Sequence, residues 1–300
     1  MPLVNEALEA AIARPRRSML YMPGANARAL EKAKTLPADS LILDLEDAVA
    51  PDAKAAARKQ VVDAVKAGGY GKRELVIRMN SLDTGWGHED APALATAGAH
   101  AILIAKVESA AQVQHVEALL SEYKAPDELA LMAMIETPMG VLNAAEIARS
   151  SSRMICLVMG TSDMTKDLHA LHTKDRLPML TSLGLCLLAA RANRIAIVDG
   201  VHLDLNDDAG FADACRQGRE LGFDGKTLIH PKQVEGANSA FAPSAEEVAF
   251  SRKIIAAHAE AEAKGEGVVL VDGKLIENLH VENAERLVAL AERVAELEKA

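Results

Sequence analysis

The chain has 300 residues, half of them apolar and a quarter charged, with 43 Asp and Glu against 33 Lys and Arg and a formal net charge of −10. This composition suits one large core or two ordinary domains, and its acidic balance excludes a general nucleic-acid or anionic-membrane face, both of which need basic surface. With four Phe, three Tyr and one Trp, burial must come from aliphatic side chains, and a stacking platform for single-stranded nucleic acid is excluded.

The N-terminal segment carries Glu6 and Glu9 where a secretory signal would need an unbroken apolar stretch. From residue 17 onward, eight short apolar runs follow: 17–23, 40–46, 74–80, 101–107, 129–136, 153–160, 194–201 and 226–230. They are nearly continuously apolar, as strands covered on both faces are. Between them the pattern predicts helices over 26–36, 51–66, 88–97, 109–123, 139–149, 178–193 and 207–221. Pro51 and Pro138 suit first helical positions, Asn206 with Asp207 and Asp208 reads as an N-terminal cap, and Gly222 as a stop. Eight strand–helix repeats close a (β/α)₈ TIM barrel, expected over residues 1–240.

Residues 241–300 remain as a helix–hairpin–helix extension. Ser244 with Glu247 fits a capping box, Asp272-Gly273 a tight hairpin turn, and Leu287, Leu290, Val294 and Leu297 one stripe of a last helix. This tail is a candidate lid or oligomerisation element. Cys156, Cys186 and Cys215 are about thirty residues apart in apolar or helical stretches, which reads as buried free thiols in a reducing compartment rather than disulfides or a zinc site. The longest uncharged segment, 177–190, is too short to span a bilayer, which takes about 20 residues. A cytoplasmic protein is expected.

In such a barrel the chemistry sits at the C-terminal strand ends. Here these ends carry Glu46-Asp47, Arg78, Lys106, Glu136, Asp163 shortly after the sixth run, Asp199 and His230. Glu136 and Asp163, from adjacent strands, could both reach a hard divalent cation that keeps its other positions for water and substrate oxygens. Arg78 could then polarise the same carbonyl as the metal. Of Glu46 and Asp47, one would hydrogen-bond metal-bound water and the other orient Lys106, or both would cap a helix. Asp44 and Asp199 carry the same ambiguity. His230 reads as a structural cap. Lys32 and Arg28 are either a solvated helix face or a contact to an anionic cofactor, and Met159, Met164 and Val201 either line a pocket or belong to the core.

Six segments occur in order: LYMPGANARALEKA, LILDLEDAVAPDAK, VIRMNSLDT, AMIETPMGV, VMGTSDM and DGKTLIHPKQVEGAN. They resemble the citrate lyase β-subunit-like enzymes of the HpcH/HpaI aldolase superfamily, which include malyl-CoA and citramalyl-CoA lyases and malyl-CoA thioesterases. The resemblance runs from about residue 16 to the C-terminus. It implies a TIM barrel, Mg²⁺ or alternatively Mn²⁺, and an acyl-CoA substrate with a 3-hydroxy group and usually a second carboxylate. It also implies that Glu136 and Asp163 are the metal ligands, that Arg78 stabilises the thioester enolate, and that Tyr21, Pro23 and Lys32 contact CoA. Where the family has an arginine, this chain has Asn26, with Arg28 two residues later. CoA phosphates would then meet positive charge at Lys32, Arg28 or Arg16-Arg17.

Family lyases carry an aspartate in the C-terminal hairpin, delivered to a neighbouring subunit; here the aligned residue is Glu277. The tail, with GTSDMTKDL and GLCLLAARA, looks most like the malyl-CoA thioesterase branch. This favours hydrolysis to malate and CoA, with Glu277 activating water. Carbon–carbon cleavage, an aldolase acting on free 2-oxo acids, and a citrate lyase β subunit needing a carrier protein remain alternatives. A trimer or hexamer is expected from the resemblance.

Overall fold

The computed structural model describes residues 6–263, 265 and 267–299. The first five residues, which belong to the segment read above for a leader, lie outside it.

Eight parallel strands close a barrel in sequential order: β1 Ser18–Pro23, β2 Ser40–Asp44, β3 Glu74–Met79, β4 Ala101–Ile104, β5 Ala130–Ile135, β6 Met154–Met159, β7 Ala196–Asp199 and β8 Gly225–Leu228. Closure is made by β1 on β8, with Ser18, Met19 and Leu20 opposite Lys226, Thr227 and Leu228. All eight predicted runs are strands, because Val, Ile, Leu and Met side chains find cover on both faces of a parallel sheet. One face looks outward: Leu20, Leu41, Leu43, Ile77, Ile102, Leu131 and Leu157 pack in the large cluster with helical residues. The alternate set, including Met19, Ile42, Val76, Leu103, Met132, Cys156 and Val198, forms a second cluster. That set fills the lumen, because its rows continue upward into the cavity residues Tyr21, Asp44, Arg78 and Met134.

The helices of this unit are α1 Glu6–Ile12, α2 Ala27–Ala33, α3 Lys54–Ala67, α4 Gly85–Leu94, α5 Ala110–Glu122, α6 Pro138–Leu142, α7 Ala144–Ala148, α8 Thr161–Asp167, α9 Leu180–Ala192, α10 Asp208–Leu221 and α11 Val234–Phe241. Three were not expected. α1 adds Leu8 to the lumen cluster, α8 is a short turn of polar residues, and α11 buries Val234, Ala237 and Phe241. The helix expected over 139–149 is broken at Asn143, whose side chain leaves the helix to donate to Glu108 O at 2.7 Å. The cap of α10 is Asp207 rather than Asn206: its Oδ1 accepts the Gly210 N–H at 2.8 Å. Gly222 ends α10 at φ 105°, a conformation that costs a residue with a Cβ.

Arg16 and Arg17 correct the sequence reading. They stand at the N-terminal end of β1, the end of the barrel opposite the strand termini that bear the site, and both are buried. Arg16 makes a two-pronged pair with Glu74 at 2.8 and 2.6 Å, and Arg17 pairs with Asp39 at 2.9 Å. Their charge is consumed in the fold, so no cofactor phosphate meets it. The three cysteines are free and buried.

A second compact unit runs from Ala242. It holds α12 Ala245–Glu262, the hairpin strands β9 Val269–Val271 and β10 Lys274–Ile276, and α13 Asn278–Glu298. The Ser244–Glu247 capping box forms as expected. The turn has φ 48° at Asp272 and 78° at Gly273, the pair of positive values that a two-residue type I′ hairpin requires. Ile254, Val271, Ile276 and Ala284 make its core. On α13 the buried residues are Ala284, Val288 and Val294; Leu287, Leu290 and Leu297 of the expected stripe are only half-buried. Among the described residues no helix is long and apolar enough to cross a membrane.

Candidate active site

A cavity of about 440 Å³ opens at the C-terminal strand ends, lined among others by Tyr21, Pro23, Asp47, Arg78, Glu136 and Asp163. Residues singled out from the sequence at separate strand ends thus share one mouth. Arg78 is 6% exposed and tightly held. Its Nε and Nη2 donate to the two Asp44 oxygens at 2.7 and 2.6 Å, its Nη1 reaches Glu46 Oε2 at 2.8 Å, and its guanidinium carbon lies 5.0 Å from the Tyr21 ring centre. Burial opposes its charge, but the hydrogen bonds to Asp44 more than compensate and keep it firmly protonated. Asp44, ambiguous in sequence, is therefore the residue that fixes the plane of Arg78. It also accepts the Glu46 and Ala48 N–H groups.

Glu46 and Asp47 divide their work. Glu46 is buried and bridges two cations, Arg78 through Oε2 and Lys106 Nζ through Oε1. Burial raises its pKa. Asp47 is 59% exposed on its side chain and lies 3.6 Å from Lys106 Nζ and 3.8 Å from Arg78 Nη1. Lys106 has φ 53°, an uncommon left-handed conformation for a residue with a Cβ. Its N–H points at Glu136 Oε1 (2.8 Å) while its ammonium reaches Glu46. Against the burial that disfavours its charge, the bond to Glu46 raises Lys106 to about 12.

Glu136 ends β5 at 1% exposure. Burial first and the nearby Glu46 second push its carboxyl up to about 8. The Lys106 N–H donates to this carboxyl, and the charges of Arg78 and Lys106 offset its burial only in part, so a further cation would stabilise its ionised form. Its Oε2 lies 2.7 Å from where a Cβ on Gly160 would stand. Gly160 caps α8, whose first turn carries Asp163. Asp163 is ion-paired at 3.2 Å with Lys166, one turn on and largely exposed. Among the described residues no three His, Cys, Asp or Glu side chains form a ready-made metal cage. Two carboxylates beside open cavity suit Mg²⁺, which is commonly held by one or two carboxylates and takes its remaining oxygens from water and substrate.

Other expectations resolve individually. Met159 and Val201 line the cavity, while Met164 is core. His230 is a cap, its Nδ1 accepting the Lys232 N–H at 3.1 Å. Asp199 is fully buried between Arg176 (2.7 Å) and Lys226 (2.8 Å), a structural role. Arg28 and Lys32 are exposed on α2. Glu277 is exposed at the start of α13, where its N–H donates to His280 Nδ1 at 3.1 Å. Sequence reading missed Lys54 and Lys226, both buried; lysines inside strand and helix patterns look like solvated charges until an acidic partner is brought to them.

A closed (β/α)₈ barrel with an arginine and two carboxylates at its C-terminal mouth defines a TIM-barrel enzyme built for oxyanion and metal chemistry. The chain belongs to the HpcH/HpaI aldolase/citrate lyase family, which it matches over residues 17–231. It is 50% identical over 283 residues to the (3S)-malyl-CoA thioesterase of Cereibacter sphaeroides, covering 94% of this chain and 97% of that one. With the citrate lyase subunit beta of Escherichia coli it shares 35% identity, over 97% and 98% of the two chains. Among solved structures it resembles the protein CitE of Mycobacterium tuberculosis in complex with magnesium, acetoacetate and coenzyme A, with a TM-score of 0.74, 28% identity, and coverage of 93% and 99%.

Proposed function

We propose that the chain is a Mg²⁺-dependent hydrolase of malyl-CoA-type thioesters, releasing malate and CoA. The observation that carries this reading is the convergence of Arg78, Glu136 and Asp163 on one cavity, in a chain that is 50% identical to a (3S)-malyl-CoA thioesterase. Glu136 and Asp163 would hold the metal, with Mn²⁺ as an alternative ion. The ion would supply Lewis acidity toward the substrate's oxygens. Arg78 donates to the oxygen on which negative charge develops; Asp44 prevents the guanidinium from rotating away. Glu46 holds Lys106 and Arg78, and Asp47 lines the cavity, where it would hydrogen-bond metal-bound water. Tyr21 and Pro23 on the wall and Arg28 and Lys32 on α2 are the contacts for CoA. The two helix charges are exposed, which leaves them available to phosphate.

Glu277, carried on the residue 241–300 extension of a neighbouring subunit in a trimer or hexamer, activates the water. Barrel and extension are then separate functional parts, 1–240 and 241–300. Three buried free thiols support a cytoplasmic setting.

The alternative is carbon–carbon cleavage to an acyl-CoA and a 2-oxo acid, supported by the similarity to citrate lyase subunit beta. Incubation with malyl-CoA and Mg²⁺, with phenylhydrazine to trap glyoxylate and a thiol reagent to report CoA, separates the two. CoA and malate without glyoxylate are expected. Glyoxylate with acetyl-CoA would establish the lyase, and no product would sink both for this substrate.

A further inference from the structure

We infer that Lys54 is a positioning residue of this site: its buried ammonium clamps the turn after β2 and thereby sets where Glu46 holds Arg78 and Lys106. The inference rests on the functional reading above for its kinetic consequence, but its geometry stands alone. Lys54 opens α3 and is 6% exposed. Its Nζ donates to Leu45 O at 2.8 Å, Glu46 O at 2.6 Å and Asn80 Oδ1 at 2.7 Å, and lies 5.2 Å from the Trp86 ring centre. An ammonium has three protons, and here each has one acceptor.

The two carbonyls lie just beyond the last β2–β3 partners, Asp44 and Arg78. The Leu45 N–H still donates to Arg78 O at 3.0 Å and Glu46 O also accepts the Val49 N–H at 3.0 Å, but among the described residues neither carbonyl has a partner on β3, and Lys54 is what ties both to that strand's end. The third acceptor is itself immobilised: Asn80 N and Nδ2 both donate to Asp90 Oδ2, at 2.9 and 2.7 Å, and Asp90 Oδ1 receives Arg58 Nε at 2.6 Å. Because Nδ2 is committed to Asp90, Oδ1 must face Lys54. The clamp therefore refers the β2 turn to the end of β3, the strand that carries Arg78. Glu46 is held at its N–H by Asp44, at its carbonyl by Lys54 and at its carboxylate by Arg78 and Lys106, and of the backbone grips only that of Lys54 reaches across to the end of β3. Losing the Lys54 grip unties the turn from the end of β3 and lets the Glu46 carboxylate shift relative to Arg78. An ångström of misplacement in a catalytic group can cost about a hundredfold in rate.

The test combines crystallography with a double-mutant cycle. Lys54→Met keeps the stem and removes the three donors; Lys54→Arg keeps the charge in a planar fork that cannot serve three acceptors gathered about one point, and is the second variant should the first fail to fold. In crystals of either, Glu46 is expected to leave Arg78 Nη1; an unchanged 2.8 Å pair overturns the clamp. With malyl-CoA, kcat should fall by about a hundredfold while KM changes little. In a Glu46→Gln background the Lys54 substitution should add little further loss, because both act through one group. Losses that multiply would show that Lys54 acts elsewhere and overturn the inference. If the wild type fails to turn over malyl-CoA, the functional reading fails, and the crystal result still decides the clamp.

Discussion

Arg78 is held by Asp44 at two points and by Glu46 at a third, so its charge is not interchangeable with that of lysine. Arg78→Lys should lower kcat by about 10²- to 10³-fold, the scale of losing one aimed oxyanion donor, in steady-state assays of CoA release. Glu136 allows a sign-definite test. Its carboxyl sits at about 8 against an ordinary 4.5, with burial as the main cause. Below the ordinary value it is protonated in folded and unfolded chains alike. As pH rises from there to about 8, only the unfolded chain gives up the proton, so this group's contribution to stability declines and then levels off. Urea titrations of metal-free protein should show the decline in the wild type and its absence in Glu136→Gln. Because the metal takes the carboxylate form, Mg²⁺ affinity measured calorimetrically should rise with pH over the same interval and proton release should accompany binding. A residue list from strand ends found Arg78, Glu136 and Asp163, since their position at the end of an apolar run is a local signal. Asp44 could not be told from Asp199 that way: both end a strand, and only their partners, Arg78 in one case and Lys226 with Arg176 in the other, separate site from scaffold.

Among the elements, the junction of β6 with α8 packs Gly160 against Glu136 and carries Asp163 one turn on. Gly160 must lack a Cβ there, because one would stand 2.3 Å from Glu136 Cβ and 2.7 Å from its Oε2. Gly160→Ala should displace the carboxylate, weaken Mg²⁺ binding in calorimetry, and cost about 1–3 kcal/mol of stability through overpacking. α8 itself escaped the sequence pattern: TSDMTKD buries only Thr161, Met164 and Thr165, too few apolar positions to show a helical period. The strands were legible because a parallel barrel buries both faces and the runs read as continuous apolar blocks. Helix ends were less so, since the cap of α10 depends on which of Asn206 and Asp207 reaches the Gly210 N–H, a matter of backbone geometry at Asp207, φ −101° and ψ 74°.

For the whole molecule, the barrel separates stability from chemistry by its two ends. Arg16 and Glu74, 58 residues apart in sequence, form a fully buried pair that Ser40 also supports at 2.7 Å. Arg16→Met should cost about 3–5 kcal/mol in guanidinium unfolding, because it strands a buried carboxylate, while leaving KM for malyl-CoA nearly unchanged. That contrast distinguishes the stabilising end from the mouth, where Arg78→Lys alters turnover instead. The arginines nearest the first strand were expected to serve an anionic cofactor, and the fold spends them on Glu74 and Asp39. Arg28 and Lys32, exposed on α2, are the local basic charges we propose for that purpose within a chain of net charge −10.

By itself the sequence determined the eight-stranded α/β architecture, the aliphatic core, the hairpin at Asp272-Gly273 and the placement of Arg78, Glu136 and Asp163 at the barrel mouth. Each is written in local periodicity, in turn chemistry or in the residue that closes a strand. Only the tertiary structure decided which charges are paired away from the cavity and which line it. An ion pair is a relation between distant residues: Lys54 becomes a clamp when Asn80 and the Leu45 and Glu46 carbonyls converge on it, and Glu136 acquires its need for a cation when burial strips it of water.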